Sequence, residues 1–138
     1  MWHNLKIYLI LLPVFFFIDY LFLGKIMVGF YKQELGALAR RAGEDLSPLL
    51  WAAFLVYLLI PLGIVLFALP RVSPVNLPGS SLFWGCLFGV VLYGIYDLTN
   101  LSMLAGWSLK LSLLDMAWGG FLCALSTTLA AYLDRWLG

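Results

Sequence analysis

The chain reads as an all-α membrane protein: four transmembrane helices in a compact bundle, with an interfacial amphipathic helix between the first and second. Three observations carry this. Of its 138 residues, 64% are hydrophobic and only 11% are charged, where a soluble domain has about 25% charged residues. Four apolar stretches are each long enough to cross a bilayer, which takes about 20 helical residues. The one long connection, residues 25–47, places apolar and basic side chains on opposite sides at helical spacing. Residues 1–138 therefore read as one integral membrane domain.

The first span covers about residues 5–24. It resembles a signal peptide in position, but its apolar run is too long, it contains Asp19, and no small-residue cleavage pattern follows. An interfacial helix over about 26–42 comes next, with Met27, Tyr31, Leu35, Leu38 and Ala42 on one side and Lys32, Gln33, Arg40 and Arg41 on the other. Ser47-Pro48 predicts the start of the second span, a capping residue followed by proline. That span covers about 49–69, and Pro61 loosens it as Pro13 loosens the first. Residues 70–79 hold prolines at 70, 74 and 78 and predict an extended, stiff link. The third span, about 81–101, and the fourth, about 111–133, are joined by a short connection and must be antiparallel neighbours. Gly85-x3-Gly89 on one and Gly120-x3-Ala124 on the other allow close approach.

Composition excludes several functions. A net charge of +1 offers no footprint for nucleic acid. Cys86 and Cys123 both fall within apolar spans and read as buried apolar residues rather than a disulfide. His3 is the only histidine, which excludes a bis-histidine haem or a His-rich zinc site within one chain. No serine, cysteine or histidine arrangement for nucleophilic catalysis is visible. Lys25, Lys32, Arg40, Arg41 and Lys110 lie on one side, and Lys6, Arg71 and Arg135 on the other. The excess predicts that the first group is cytoplasmic. Tryptophans and tyrosines near the span ends form the usual interfacial belt, and Phe15, Phe16 and Phe17 face lipid and neighbouring helices.

The functional content lies in three acids inside apolar runs. An intramembrane carboxylate costs a few kcal/mol unless it is paired, protonated or hydrated, and marks a functional site by default. Asp19, Asp97 and Asp115 each fall four or five residues from the same membrane face, which puts all three about 6–8 Å deep at about 1.5 Å per residue. Tyr93, Asp97 and Asn100 share one face of the third span. Asp115, Trp118, Gly119 and Leu122 share one face of the fourth. Tyr57 on the second reaches the same level. The expected site is a polar pocket of Asp19, Asp97, Asn100, Asp115, Tyr93 and Tyr57, handling a ligand, ion or proton. Three carboxylates in low dielectric require a shared proton, a bound cation or an inserted base; Lys25 and Lys110 flank the layer. Carboxylates with the Asn100 carbonyl suit a hard cation chemically, but no dedicated metal site and no cofactor is assigned. Polar cross-linking of the helices is the structural alternative.

Tyr96-Asp97-Leu98-Thr99-Asn100, then Gly106-Trp107 and Asp115-Met116-Ala117-Trp118-Gly119, resemble a known family, the bacterial integral membrane proteins called domain of unknown function 2177. Ile18-Asp19-Tyr20, Phe30-Tyr31 and Leu35-Gly36 fit the same pattern, so the resemblance covers almost the whole chain. It implies a four-helix inner-membrane protein and carries no activity. Three functions stay open: a binder or transporter of a small molecule, ion or lipid through the acidic pocket; an enzyme acting on lipid head groups, with Lys32, Arg40 and Arg41 holding phosphates; and a structural or accessory subunit. Expected partners are membrane lipids and a small-molecule or cationic ligand, with a homo-oligomer left open.

Overall fold

A computed structural model describes all residues, 1–138. Helix α1 (Trp2–Leu21) continues through a π-helical turn (Phe22–Ile26). Helix α2 (Val28–Leu35) ends in a 3-10 turn (Gly36–Leu38), followed by a two-stranded antiparallel hairpin, β1 (Arg41–Ala42) with β2 (Asp45–Leu46). Helix α3 (Leu50–Gly63) runs on through a π turn (Ile64–Ala68) and a 3-10 turn (Leu69–Arg71). Helices α4 (Leu77–Met103) and α5 (Leu109–Leu137) complete the chain. Four helical segments, Trp2–Ile26, Leu50–Arg71, Leu77–Met103 and Leu109–Leu137, are long and apolar enough to cross a membrane. All four expected spans are present; the first, third and fourth are several residues longer than their apolar runs and the second matches its run closely.

Three local expectations are corrected. The helix predicted over 26–42 stops at Leu35, because Gly36 takes a positive φ of 53° that side-chain-bearing residues rarely adopt. Arg41 then reaches back to the free helix end, donating to the carbonyls of Lys32 at 2.6 Å and Gly36 at 3.2 Å. Arg40 and Arg41 therefore belong to the hairpin region rather than to a helical face. Ser47-Pro48 does not start α3; Leu49 occupies the cap position without a side-chain bond. The proline link is also shorter than 70–79. Pro70 lies inside a 3-10 turn and Pro78 in the first turn of α4, where no backbone N–H is needed. Asn76 caps that turn by accepting from the Gly79 amide.

Helix α5 is the centre of the bundle: half of its most apolar stretch is buried, against 22% in each other span. It lies closest to α4, where glycines face backbone. A Cβ on Gly89 would collide with the Gly119 carbonyl, and one on Gly119 would collide with the Tyr93 ring. Gly85 meets Cys123 and Thr127, while Gly120 meets Cys86 and Val90. Gly85, Gly89 and Gly120 of the expected small-residue pairing lie at this contact, and Gly119 is the residue that Gly89 meets. Ser81 and Thr128 hydroxyls bond across it at 2.9 Å, and Thr128 also donates to the Ala124 carbonyl of its own helix. Thr127, one residue earlier, finds no partner.

Helix α1 buries Ile7, Leu11, Phe15 and Asp19, one residue in four along a single stripe. That stripe packs on α5 and α3. Of the three consecutive phenylalanines only Phe15 is inside; Phe16 and Phe17 face outwards. Pro61 lacks the N–H that would serve the Tyr57 carbonyl, and in the same turn the Tyr8 hydroxyl donates to the Leu58 carbonyl at 3.0 Å. Helix α3 meets α4 through Gly63, which abuts Phe88, and through the π turn below it. Towards its N-terminal end α3 diverges from α4 and leaves a cleft. At the opposite end of the bundle His3 pairs with Asp134 at 2.7 Å.

Gly89→Ala should lower unfolding stability by roughly 1–3 kcal/mol through overpacking. Gly29→Ala, on α2 with open space around it, should be neutral or stabilising. Thermal unfolding of the two variants in detergent checks the contrast; equal behaviour would mean that α4 and α5 are not in backbone contact.

Candidate functional site

The cleft between α3 and α4 leads into a cavity of about 520 Å³ lined by 16 residues, 13 of them hydrophobic. Asp19, Asp97 and Asp115 all line it, from α1, α4 and α5. Acids from three different helices thus border one space. Tyr57 and Tyr93 line it as well. Asn100 does not; it lies one turn beyond Asp97, half-buried outside the lining. Lys32, Arg40 and Arg41 also stand apart from the cavity. Lys32 pairs with Asp45 at 3.0 Å, Arg41 is committed to backbone carbonyls, and Arg40 is exposed. Neither Lys25 nor Lys110 forms an ion pair with any of the three acids; the Lys25 ammonium lies 6.0 Å from the Tyr20 ring.

The three acids differ in what compensates them. Asp19 accepts from the Tyr57 hydroxyl at 2.6 Å and from the Trp118 indole N–H at 2.8 Å, one donor for each oxygen. Such short contacts are those of charge-assisted bonds. Trp118 is itself fixed by stacking on Phe22, with ring centroids 3.7 Å apart and planes 8° from parallel. Phe22 opens the π turn that follows Asp19, so that irregular turn delivers the stacking ring. Asp115 accepts from the Tyr31 hydroxyl at 2.6 Å. Burial, with the Asp115 charge beside it, pushes the Tyr31 phenol up from its ordinary value, so it remains a donor at every physiological pH.

Asp97 has neither kind of support. It is fully buried, and neither carboxyl oxygen receives a hydrogen bond from any N–H or O–H. The group against it is another carboxyl, that of Asp115. Two adjacent carboxyls are stable when they share a proton or when a positive group enters between them.

Two of these donors, Tyr31 and Trp118, were not among the expected site residues, and Tyr96 is a third residue added by the lining. Trp118 follows Asp115 by one turn on the same face, and an indole N–H in an apolar interior needs an acceptor. Tyr31 is the one polar-tipped residue on the apolar side of its helix. Both signals are present in the sequence. Helix α2 closes the cavity at its end of the bundle with Tyr31 and Leu35. Its Glu34 accepts from Ser108, which also caps α5 by accepting from the Leu111 amide.

Fold and cavity together define a class: a multi-pass α-helical membrane protein with acids gathered inside the bundle. Within that class, residues 4–132 match the family described as "Predicted membrane protein (DUF2177)", and the chain belongs to it. This is the family that the runs at 96–100 and 115–119 resemble. No curated protein and no solved structure matches the chain.

Tyr31→Phe removes the hydroxyl that ties α2 to Asp115. A lost charge-assisted bond of about 1–2 kcal/mol should speed amide hydrogen exchange in α2 by about 5–30-fold, with α4 and α5 unchanged. Unaltered exchange in α2 would show that this bond does not hold the helix in place.

Proposed function

We propose that this protein binds a small molecule, ion or lipid in the acidic cavity, and handles a proton there, as a multi-pass protein of the bacterial inner membrane. The observation that carries the reading is Asp97. A carboxylate retained as polar glue has donors from neighbouring helices, as Asp19 does. Asp97 has none, is wholly buried, and lines a cavity large enough for a drug-sized ligand, for which roughly 300–1,000 Å³ is typical. The missing compensation must come from outside the chain, as a proton or a ligand.

Binding and transport share this site. Transport requires in addition that the proton and the ligand compete for the same carboxyl pair, so that one leaves as the other arrives. One observation favours a second reading. The adjoining Asp97 and Asp115 carboxyls would serve a membrane enzyme as general acid and base towards lipid head groups. Against it, Lys32 and Arg41 are already engaged and do not face the cavity.

Asp97→Asn separates a site from a structural acid. Because Asp97 accepts no hydrogen bond, the variant should unfold at the same temperature as wild type or higher. Mass spectrometry of co-purified lipids and metabolites should show at least one species depleted by about tenfold, the equivalent of 1.4 kcal/mol. Lost stability with identical bound species would sink the binding reading and return Asp97 to a structural role.

A further inference from the structure

We infer that the cavity takes a single-chain amphiphile with an ammonium head group, admitted sideways from the bilayer between α3 and α4. This rests on the reading of the cavity as a binding site and names the chemistry of its ligand.

Charge comes first. Three carboxylates line the cavity and no lysine, arginine or histidine does. Asp97 is one of these lining residues, fully buried and without a donor. A positive group is the complement that this lining lacks. The three acids do not converge to metal-ligand spacing, which favours a larger cation whose charge is spread over a head group. The walls beside the acids are aromatic: Tyr31, Tyr57, Tyr93, Tyr96 and Trp107. An ammonium is attracted to such ring faces as well as to carboxylates.

The rest of the cavity is apolar, and its opening lies on the lipid side. Ala53, Val56, Leu59 and Ile60 form the α3 wall and Leu92 stands opposite on α4. Val56 is 50% exposed and Leu59 62% exposed although both line the cavity, which puts them at its mouth. Because α3 and α4 are both membrane spans, that mouth opens within the hydrocarbon region. The end towards α2 is covered instead. Tyr31 and Leu35 roof it, and the Ser108 hydroxyl fastens α2 through Glu34. A molecule with a charged head and an alkyl tail would seat the head among the acids and leave the tail between α3 and α4.

The test uses the full chain in maltoside micelles and three probes: dodecylamine, dodecanol and butylamine. Binding is read from tryptophan fluorescence, since Trp107 lines the cavity and Trp118 adjoins it. Dodecylamine should bind at least about tenfold more tightly than either dodecanol or butylamine. The preference over dodecanol should vanish in Asp97→Asn. Leu59→Trp, which narrows the mouth, should weaken dodecylamine by about fivefold or more and leave butylamine unchanged. Equal binding of dodecylamine and dodecanol by the wild-type protein overturns the ammonium assignment, whatever the variants do. Equal binding of dodecylamine and butylamine overturns the sideways amphiphile. If either happens while Asp97→Asn still alters the co-purified species, the binding site stands and only its ligand class falls.

Discussion

One carboxylate holds three of the four spans together. Asp19, at the end of the buried stripe of α1, accepts from Tyr57 of α3 and Trp118 of α5. In lipid there is no hydrophobic force between helices, so directional bonds and close contact decide which faces meet. The Asp19 bonds fix the rotation of α1 and α3 about α5. The glycine contact fixes α4 on the other side of α5. The α1, α3, α4 and α5 walls are set by these two devices, and the α2 end by the Tyr31–Asp115 and Ser108–Glu34 bonds.

The two devices are unequal in character, and the asymmetry shapes the site. The α4–α5 contact is backbone against backbone along much of both helices, so that wall is stiff. The α3 wall is held by side chains at one level and by Gly63 and the π turn at another, with Pro61 between them. A helix that is interrupted in this way leaves room beside it. The donors are shared unequally among the acids. Asp19, on the side-chain-held wall, is fully compensated, while Asp97, on the stiff wall, is left without a donor. Asp19, which holds the bundle, and Asp115, which holds α2, both have donors, and Asp97 has none.

Much of this was legible in the sequence, for identifiable reasons. Four spans are visible because a bilayer demands about 20 apolar residues in a row. The common depth of the acids follows from helical rise alone. The glycine pairing is visible because only small residues permit such approach. What was not legible depends on direction and on local backbone. The early stop of α2 at Gly36 depends on a positive φ that glycine permits but does not announce. The cap at Ser47-Pro48 was displaced because the hairpin bond from the Ser47 amide to the Arg40 carbonyl engages that segment. Asn100 shares a helical face with Asp97, but a face spans an arc wider than the cavity does. Tyr31 stands out as the one polar-tipped residue on its apolar stripe, but the stripe does not say whether its hydroxyl meets lipid or an acid.

The bonds of Asp19 span long stretches of chain. Tyr57 lies 38 residues later and Trp118 lies 99 residues later. During synthesis, α1 therefore reaches the membrane long before either partner exists. Until α3 follows, its carboxyl has neither donor, and until α5 follows it has only one. Being within about two turns of the end of its span lets it stay hydrated during that wait. The residue that aligns the finished bundle is thus the one that the growing chain has to shelter at the membrane surface, which ties assembly of the first helix to insertion of the last.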